Sequence, residues 1–322
     1  MRITVLSGGV GGARFTRGLR ALLPAADVTV VANTGDDLWL HGVRVCPDLD
    51  TLMYTLGGAV QEDQGWGRRD ESRHVSDDLR AYGLGWDWFT LGDLDLATHL
   101  ARTYLLRAGL PLSQVTAQLA ERWQPGVTLM PMTDDEVETH VVVEDGRTMH
   151  FEEWWVRYRA ALPAVRFVQT HVDAATPAPG VLDAIADADV VVVPPSNPVV
   201  SVGTILAIPG IRDALRTTAA PVVGVSPIVG GAPVRGMADA CLTAIGVETS
   251  AVAVARHYGR RPDGILDAWL VDERDAAAVP QLAADGWTAA SAPTLMTDVP
   301  TTAGIARAAL ALVDRLPRAT SR

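Results

Sequence analysis

Short aliphatic runs alternate with helical periodicity at both ends of this chain, and a different texture fills its middle. Residues 2–6 read as a strand, with Ile3, Val5 and Leu6 apolar. Residues 12–23 carry Phe15, Leu19, Leu22 and Leu23 at helical spacing, and Pro24 stops that helix. Residues 28–32 form the next strand. Buried strands of a parallel sheet read as unbroken apolar runs, so this opening predicts an α/β fold. The alternation returns at about residue 165. Strands are expected at 165–168, 190–193, 221–225 and 268–271, the last clear one. Helices are expected at 180–187, 211–216, 236–245, 250–258 and 301–315.

Between these stretches the pattern is mostly helical. Helices are expected at 52–56, 76–82, 94–108 and 112–122, with Trp66, Trp86, Trp88 and Trp123 falling in this part. Strands at 127–130, 137–143 and 147–151 follow, with Glu144-Asp145-Gly146 as a hairpin turn, and 152–161 reads as helix. The loop Thr176-Pro177-Ala178-Pro179-Gly180 is too short to link independent domains. The expectation is one Rossmann-like α/β domain over 1–322. Its sheet is mostly parallel with helices on both faces, and a mostly helical insertion spans roughly 52–162. No internal repeat is visible.

Composition narrows the function. The chain has 322 residues, of which 48% are hydrophobic, enough for a full core. Its net charge of −11 argues against nucleic acid as a partner. Every base is Arg, so a cationic contact to phosphate must come from Arg, and a Schiff-base lysine is excluded. Cys46 and Cys241 have no zinc or disulfide spacing, which fits a reducing cytoplasm. No signal peptide and no membrane span are expected, because the first strand starts beside Met1 and no apolar run reaches about 18 residues.

The chemistry is concentrated where strands end. Gly8-Gly9-Val10-Gly11-Gly12 lies between a strand and a helix, an arrangement in which backbone N–H groups hold an anion. It departs from the dinucleotide fingerprint, since the third glycine position is Arg14 and the second strand ends in Asn33 rather than an acid. A nicotinamide oxidoreductase is the rival that these departures disfavour, and the absence of Lys excludes a Walker A loop.

Asn33 also opens a run reaching Thr51 that holds Asp36, Asp37, Asp48 and Asp50. Carboxylates beside a phosphate cradle imply a divalent cation between them. Mg²⁺ takes one or two carboxylates, so not all four are ligands, and Asp48 or Asp50 is also a good N-cap for 51–56. Ser196-Asn197 after strand 190–193, and Ser226 through Gly231 after strand 221–225, offer further polar groups on the same sheet edge. Asn197 reads equally as a turn cap. In Thr90 to His99, Asp93 or Asp95 caps a helix, and His99 is a base or a helix face. Trp154, Trp155, Arg157, Tyr158 and Arg159 could stack a flat ring, or pack a core.

These segments resemble the 2-phospho-L-lactate transferase family of coenzyme F420 biosynthesis over nearly the whole chain. The likeness rests on residues 7–14, the run from Asn33 to Thr51, and Leu91 to His99. Pro195 to Pro198, Ser226-Pro227-Ile228, Asp272 to Asp275 and Thr294 to Thr297 add to it. Residues 44–51 with Gly57-Gly58, and Glu153 to Arg159, are similar to the bacterial branch.

The resemblance implies a reaction. The deazaflavin Fo accepts an enolpyruvyl-phosphate group through its terminal hydroxyl, a guanosine diphosphate ester donates it, and GMP leaves. The product is dehydro-F420-0, or F420-0 with a lactyl donor. That chemistry fits the residues as read above: Mg²⁺ would be held by Asp36 with Asp48 or Asp50, and Asp36 and Asp50 would be the catalytic residues. Fo would meet Asp50, Thr90 and Trp154. Nucleotide and phosphate contacts would come from Gly8, Gly9, Gly11, Gly12, Arg14, Asn33, Ser196, Asn197 and Ser226. A homodimer, and a guanylyltransferase supplying the donor, are the implied partners. A non-catalytic nucleotide-sugar-binding regulator of similar fold is the other rival, disfavoured by the aspartate run.

Overall fold

The computed structural model describes residues 1–85 and 88–316, so Trp86 lies outside the described residues. Seven strands form one parallel sheet: β1 (Arg2–Ser7), β2 (Asp27–Ala32), β3 (Thr128–Pro131), β4 (Val190–Val193), β5 (Val222–Val225), β6 (Ala268–Asp272) and β7 (Thr288–Ala292). Their spatial order is β7-β6-β5-β4-β1-β2-β3. The chain builds outward from β1 to β3, then returns to β4 on the other side of β1. Connections after β1 and β4 therefore diverge, and the crevice at their C-terminal ends is where open α/β sheets bind ligands. This is the Rossmann-like sheet that the apolar runs predict.

The pleat divides the core. Val190 and Val192 join one cluster, with Ile3, Val5, Val28 and Val30; Val191 and Val193 join the other, with Leu6 and Val31. Successive strand side chains point to opposite faces, so a run of four valines feeds both layers. The first layer receives α1 (Val10–Leu22), α2 (Pro47–Leu56) and the closing helix Val299–Leu310, through Phe15, Leu19, Leu52 and Ile305. The second receives helices Val181–Ala186, Val202–Ala207 and Ile211–Thr217.

Helix α3 (His74–Ala81) packs beside α4 (Asp93–Arg107), and α5 (Leu112–Trp123) precedes β3. A separate three-stranded antiparallel sheet comprises Glu138–Val143, Thr148–His150 and Ala164–Thr170.

The structure corrects several sequence expectations. Residues 128–131 lie in the main sheet as its edge, beside β2. Strand 164–170 joins the small sheet rather than resuming the α/β alternation, and it is nowhere fully buried. Its Arg166 and Gln169 break the apolar run that a central strand needs. Helix α2 begins at Pro47, not 52, because proline at the first helical position suits a fixed φ. The helix expected over 152–161 is a five-residue π-helical turn, Glu153–Arg157, followed by Arg159 and Ala160 with positive φ. Strand β7 (Thr-Ala-Ala-Ser-Ala) and helices Val202–Ala207 and Ala278–Ala284 carried too little periodic signal to be read.

Candidate active site

Asn33 follows β2, and its backbone N–H donates to Ser7 O at 3.0 Å, extending the parallel pairing by one residue. Its fully buried side chain then organises the turn. Oδ1 accepts from Gly35 N–H at 2.9 Å, while Nδ2 donates to Asp36 Oδ2 at 3.1 Å and to Asp48 Oδ2 at 2.9 Å. Both amide hydrogens are thus directed at carboxylates, and Asn33 clamps an aspartate pair. Asp36 Oδ1 is buried and has no hydrogen-bond partner among the described residues. Gly35 permits this turn, because a Cβ there would lie 2.5 Å from Thr204 Cγ2 and 2.7 Å from Thr139 Oγ1.

The glycine turn meets the same pair. Helix α1 starts at Val10 after Gly9, with no side-chain cap. A Cβ on Gly9 would lie 2.6 Å from Asp48 Oδ1, and the Gly9 backbone N–H hydrogen-bonds Asp48. Asp48 therefore sits as an anion at the helix N-terminus, where the dipole favours negative charge. Gly11 and Gly12 serve closeness instead. A Cβ on Gly11 would come within 2.4 Å of Pro195 O, and one on Gly12 within 2.9 Å of Ser196 Oγ. The two glycines let α1 lie against the loop after β4. Gly11→Ala should cost about 1–3 kcal/mol, because its new methyl meets backbone rather than a movable side chain. Urea unfolding would check this, and an unchanged midpoint would contradict the packing argument.

The pair belongs to a larger set of buried carboxylates. Burial raises Asp36 well above the usual carboxylate range, and the charges of Asp48, Glu152 and Asp37 add to this, against the Asn33 hydrogen bond. Asp48 is raised by burial to about 6, held down by Asn33 and Gly9. Glu152 is raised to about 8 by burial, Asp48 and Asp37. Asp37 is raised by burial to about 7, with Arg44 the main opposing charge; Arg44 Nη2 lies 3.9 Å from Asp37 Oδ2.

Carboxyls whose folded pKa lies above the unfolded value bind protons more tightly when folded. Their contribution is therefore most favourable at low pH and is lost as pH rises through the folded values. Without a cation, Glu152→Gln should be more stable than the unsubstituted chain at pH 9, and the gap should shrink by pH 5. Thermal melts in EDTA at both pH values test this, and a constant gap would refute it.

Helix geometry separates the other two aspartates. Asp48 and Asp50 both fall in the first turn of α2, and residues two apart on a helix differ by about 200°. Asp48 faces the glycine turn; Asp50 faces α4. Asp50 Oδ1 accepts from Arg102 Nη2, and Asp50 Oδ2 lies 3.5 Å from His99 Nδ1. His99 Nε2 lies 3.5 Å from Asp95 Oδ2, and Tyr54 OH donates to Asp95 Oδ1 at 2.6 Å. Arg102 Nη1 also donates to Arg44 O at 3.2 Å. Burial raises the Asp50 carboxyl, and the charges of Arg102 and His99 draw it back. Neither aspartate caps α2 through its side chain, since Cys46 holds that position with no side-chain bond. Asp93 and Asp95 likewise leave the cap of α4 to Gly92, which makes no side-chain bond; Asp93 accepts instead from Ser72, His74 and Val75.

A family model described as 2-phospho-L-lactate transferase CofD matches residues 3–298. The chain belongs to the CofD family. Among CofD-family relatives, the phosphoenolpyruvate transferase of Streptomyces coelicolor is 59% identical over 322 residues, covering 99% of this chain and 100% of the relative. The phosphoenolpyruvate transferase of Thermobifida fusca is 59% identical over 327 residues, covering 98% and 99%. That of Nocardia farcinica is 58% identical over 318 residues, covering 97% and 94%. Among solved structures, a Bacillus halodurans protein described as a UPF0052 family member is similar with a TM-score of 0.62 at 19% identity. It covers 96% of this chain and 98% of that one, a likeness of fold.

The remaining residues expected to act in this CofD-family site stand as follows. Ser196 has a buried hydroxyl with no partner beside Gly12. Asn197 Oδ1 accepts from Val199 and Val200 N–H at 2.9 and 3.3 Å, so it caps the turn. Ser226 Oγ exchanges hydrogen bonds with the Ile228 backbone. Arg14 donates to Glu62 O at 3.2 Å. Thr90 Oγ1 accepts from Arg80 at 3.0 Å. Trp154 is fully buried, packs on Phe151 and Phe167, and donates its indole N–H to Leu162 O at 2.8 Å. It has no exposed face with which to wall a ring; its half-buried neighbour Trp155 is less enclosed. Sequence reading missed Glu152, Arg102 and Arg44. Arg102 follows His99 by three residues, a same-face spacing that could have signalled it. Glu152 carried no positional signal.

The donor set suits Mg²⁺. Asp36 and Asp48 offer hard oxygen donors held by one amide, Asp36 Oδ1 lacks a partner among the described residues, and a bound cation would relieve the crowding of the carboxylates.

Proposed function

We propose that this CofD-family chain transfers the enolpyruvyl-phosphate group of a guanosine diphosphate ester to the terminal hydroxyl of Fo. The observation that carries this is the full-length 59% identity to proteins named phosphoenolpyruvate transferase. The Fo hydroxyl oxygen bonds to the phosphorus bearing the enolpyruvyl group. The bond from that phosphorus to the bridging oxygen breaks, and GMP leaves with its electron pair. Positioning and charge neutralisation dominate such transfers.

Asp36 and Asp48 would hold Mg²⁺, which when bound neutralises charge on the diphosphate. Asn33 fixes both carboxylates through one amide. Gly8, Gly9 and the unpartnered Ser196 hydroxyl line the place of the phosphates. Asp50 Oδ2, the oxygen not bound by Arg102, would orient the Fo hydroxyl and accept its proton. Thr90 would border the deazaflavin. Action in the cytoplasm as a homodimer, with a guanylyltransferase making the labile donor, completes the reading; among the described residues no helix is long and apolar enough to cross a membrane.

The test is mass spectrometry of the product after incubation with Fo, GTP, a guanylyltransferase and Mg²⁺, with phosphoenolpyruvate or 2-phospholactate. The enolpyruvyl product is lighter by two hydrogens. Exclusive formation of the heavier product would favour the lactyl donor that the family description names. Undiminished product in EDTA would overturn the Mg²⁺ assignment.

A further inference from the structure

At the opposite edge of the sheet from Asp36 and Asp48, the segments leading into β5 and β6 frame a groove of about 490 Å³. That size is within the range of small-molecule sites. Helix Ala251–Tyr258 ends there, and the turn Gly259 to Gly264 forms one wall. The groove is lined by Arg212, Arg256, His257, Tyr258, Arg260 and Arg261, and among its lining residues only Asp263 is acidic.

Two of these arginines are satisfied within the protein. Arg256 pairs with Asp285 at 2.6 Å. Arg261 pairs with Asp267 and donates to the Leu215, Thr218 and Ala220 carbonyls. The guanidinium groups of Arg212 and Arg260 have no hydrogen bond or ion pair among the described residues. The nearest acid to Arg212 in sequence, Asp213, faces Arg216 at 3.7 Å.

Tyr258 supplies an independent observation. Its side chain is 2% exposed and its hydroxyl has no partner, although a buried hydroxyl ordinarily finds one. It is within electrostatic reach of Arg212, and its ring is fixed against Trp269 with centroids 5.9 Å apart. Arg212 and Arg260 are exposed, so their guanidinium donors face solvent in the groove beside the orphan hydroxyl, free to meet an anion.

We propose that this groove binds a phosphate-class oxyanion, with Arg212, Arg260 and the Tyr258 hydroxyl as its donors. Guanidinium forks suit tetrahedral oxyanions, and the phenol adds a third, neutral donor. The site lies apart from the transferase cleft, and the inference stands whether or not the proposed activity does.

The experiment follows the backbone amides of Gly259 and Gly264 by NMR while inorganic phosphate or pyrophosphate is added in EDTA. Saturable shifts are expected. Stronger binding of pyrophosphate would indicate a phosphorylated metabolite as the natural source, and equal binding would indicate free phosphate. The R212Q/R260Q variant should bind about tenfold more weakly or worse, and Tyr258→Phe several-fold more weakly, while both keep transferase activity. Shifts that never saturate, or saturate equally in R212Q/R260Q, would overturn the proposal.

Discussion

Asp36→Asn should reduce GMP release by about a thousandfold or more while the protein stays folded. Asp36 is one of two carboxylates held on the Asn33 amide, and its Oδ1 is the unpartnered oxygen of the pair. Removing its charge takes away half of the proposed cation site. The same substitution removes a group that is unfavourable without a cation. Burial and three neighbouring carboxylates raise the Asp36 pKa well above its usual range, so ionising it costs the fold stability that an amide does not lose. The melting temperature in EDTA should therefore rise, and the stabilisation by added Mg²⁺ should shrink. A purely structural Asp36 would give the reverse: retained turnover and a lower melting temperature. Near-normal GMP release would refute its role.

Arg102→Met should destabilise the chain by about 3–5 kcal/mol, because it leaves the Asp50 carboxylate buried without its cation. Arg102 is 1% exposed, and Asp50 is 4% exposed, so water cannot replace the lost partner. Arg102 also supports the Arg44 carbonyl and contacts His99, which ties α4 to the segment before α2. Asp50→Asn in the same chain should recover much of the loss, since a neutral amide needs no counter-charge. The double-mutant cycle measured by urea unfolding isolates this coupling. An Arg102→Met midpoint within about 1 kcal/mol of the unsubstituted chain would show that the pair is not a stability element. Turnover separates the roles further: Arg102→Met/Asp50→Asn should fold well and remain inactive, because the proposed proton acceptor is gone.

The two aspartates of α2 show how far a linear reading reaches. Their type and spacing are plain in the sequence, and so is their place after a strand and a glycine turn. Whether Asp48 and Asp50 act together depends on where the helix begins. Starting at Pro47, it turns one toward Gly9 and the other toward Arg102. An extended 47–51 would have placed them side by side.

The sheet divides in the same manner. Strands β1, β2, β4, β5 and β6 were legible because burial on both faces demands unbroken apolar runs. Strand β7 was not, because an edge strand of small residues needs only its neighbour's hydrogen bonds. By itself, then, the sequence determined the parallel core, the glycine turn at its centre and the acidic character of the sheet's C-terminal edge, since these follow from local burial pattern and backbone sterics. Tertiary structure alone decided that Asn33 joins Asp36 to Asp48, that Glu152 enters their field, and that Asp50 turns away to Arg102. Those pairings come from segments 15, over 100 and 52 residues apart, and only the packing of α1, α2 and α4 around the sheet brings such charges within reach of one another.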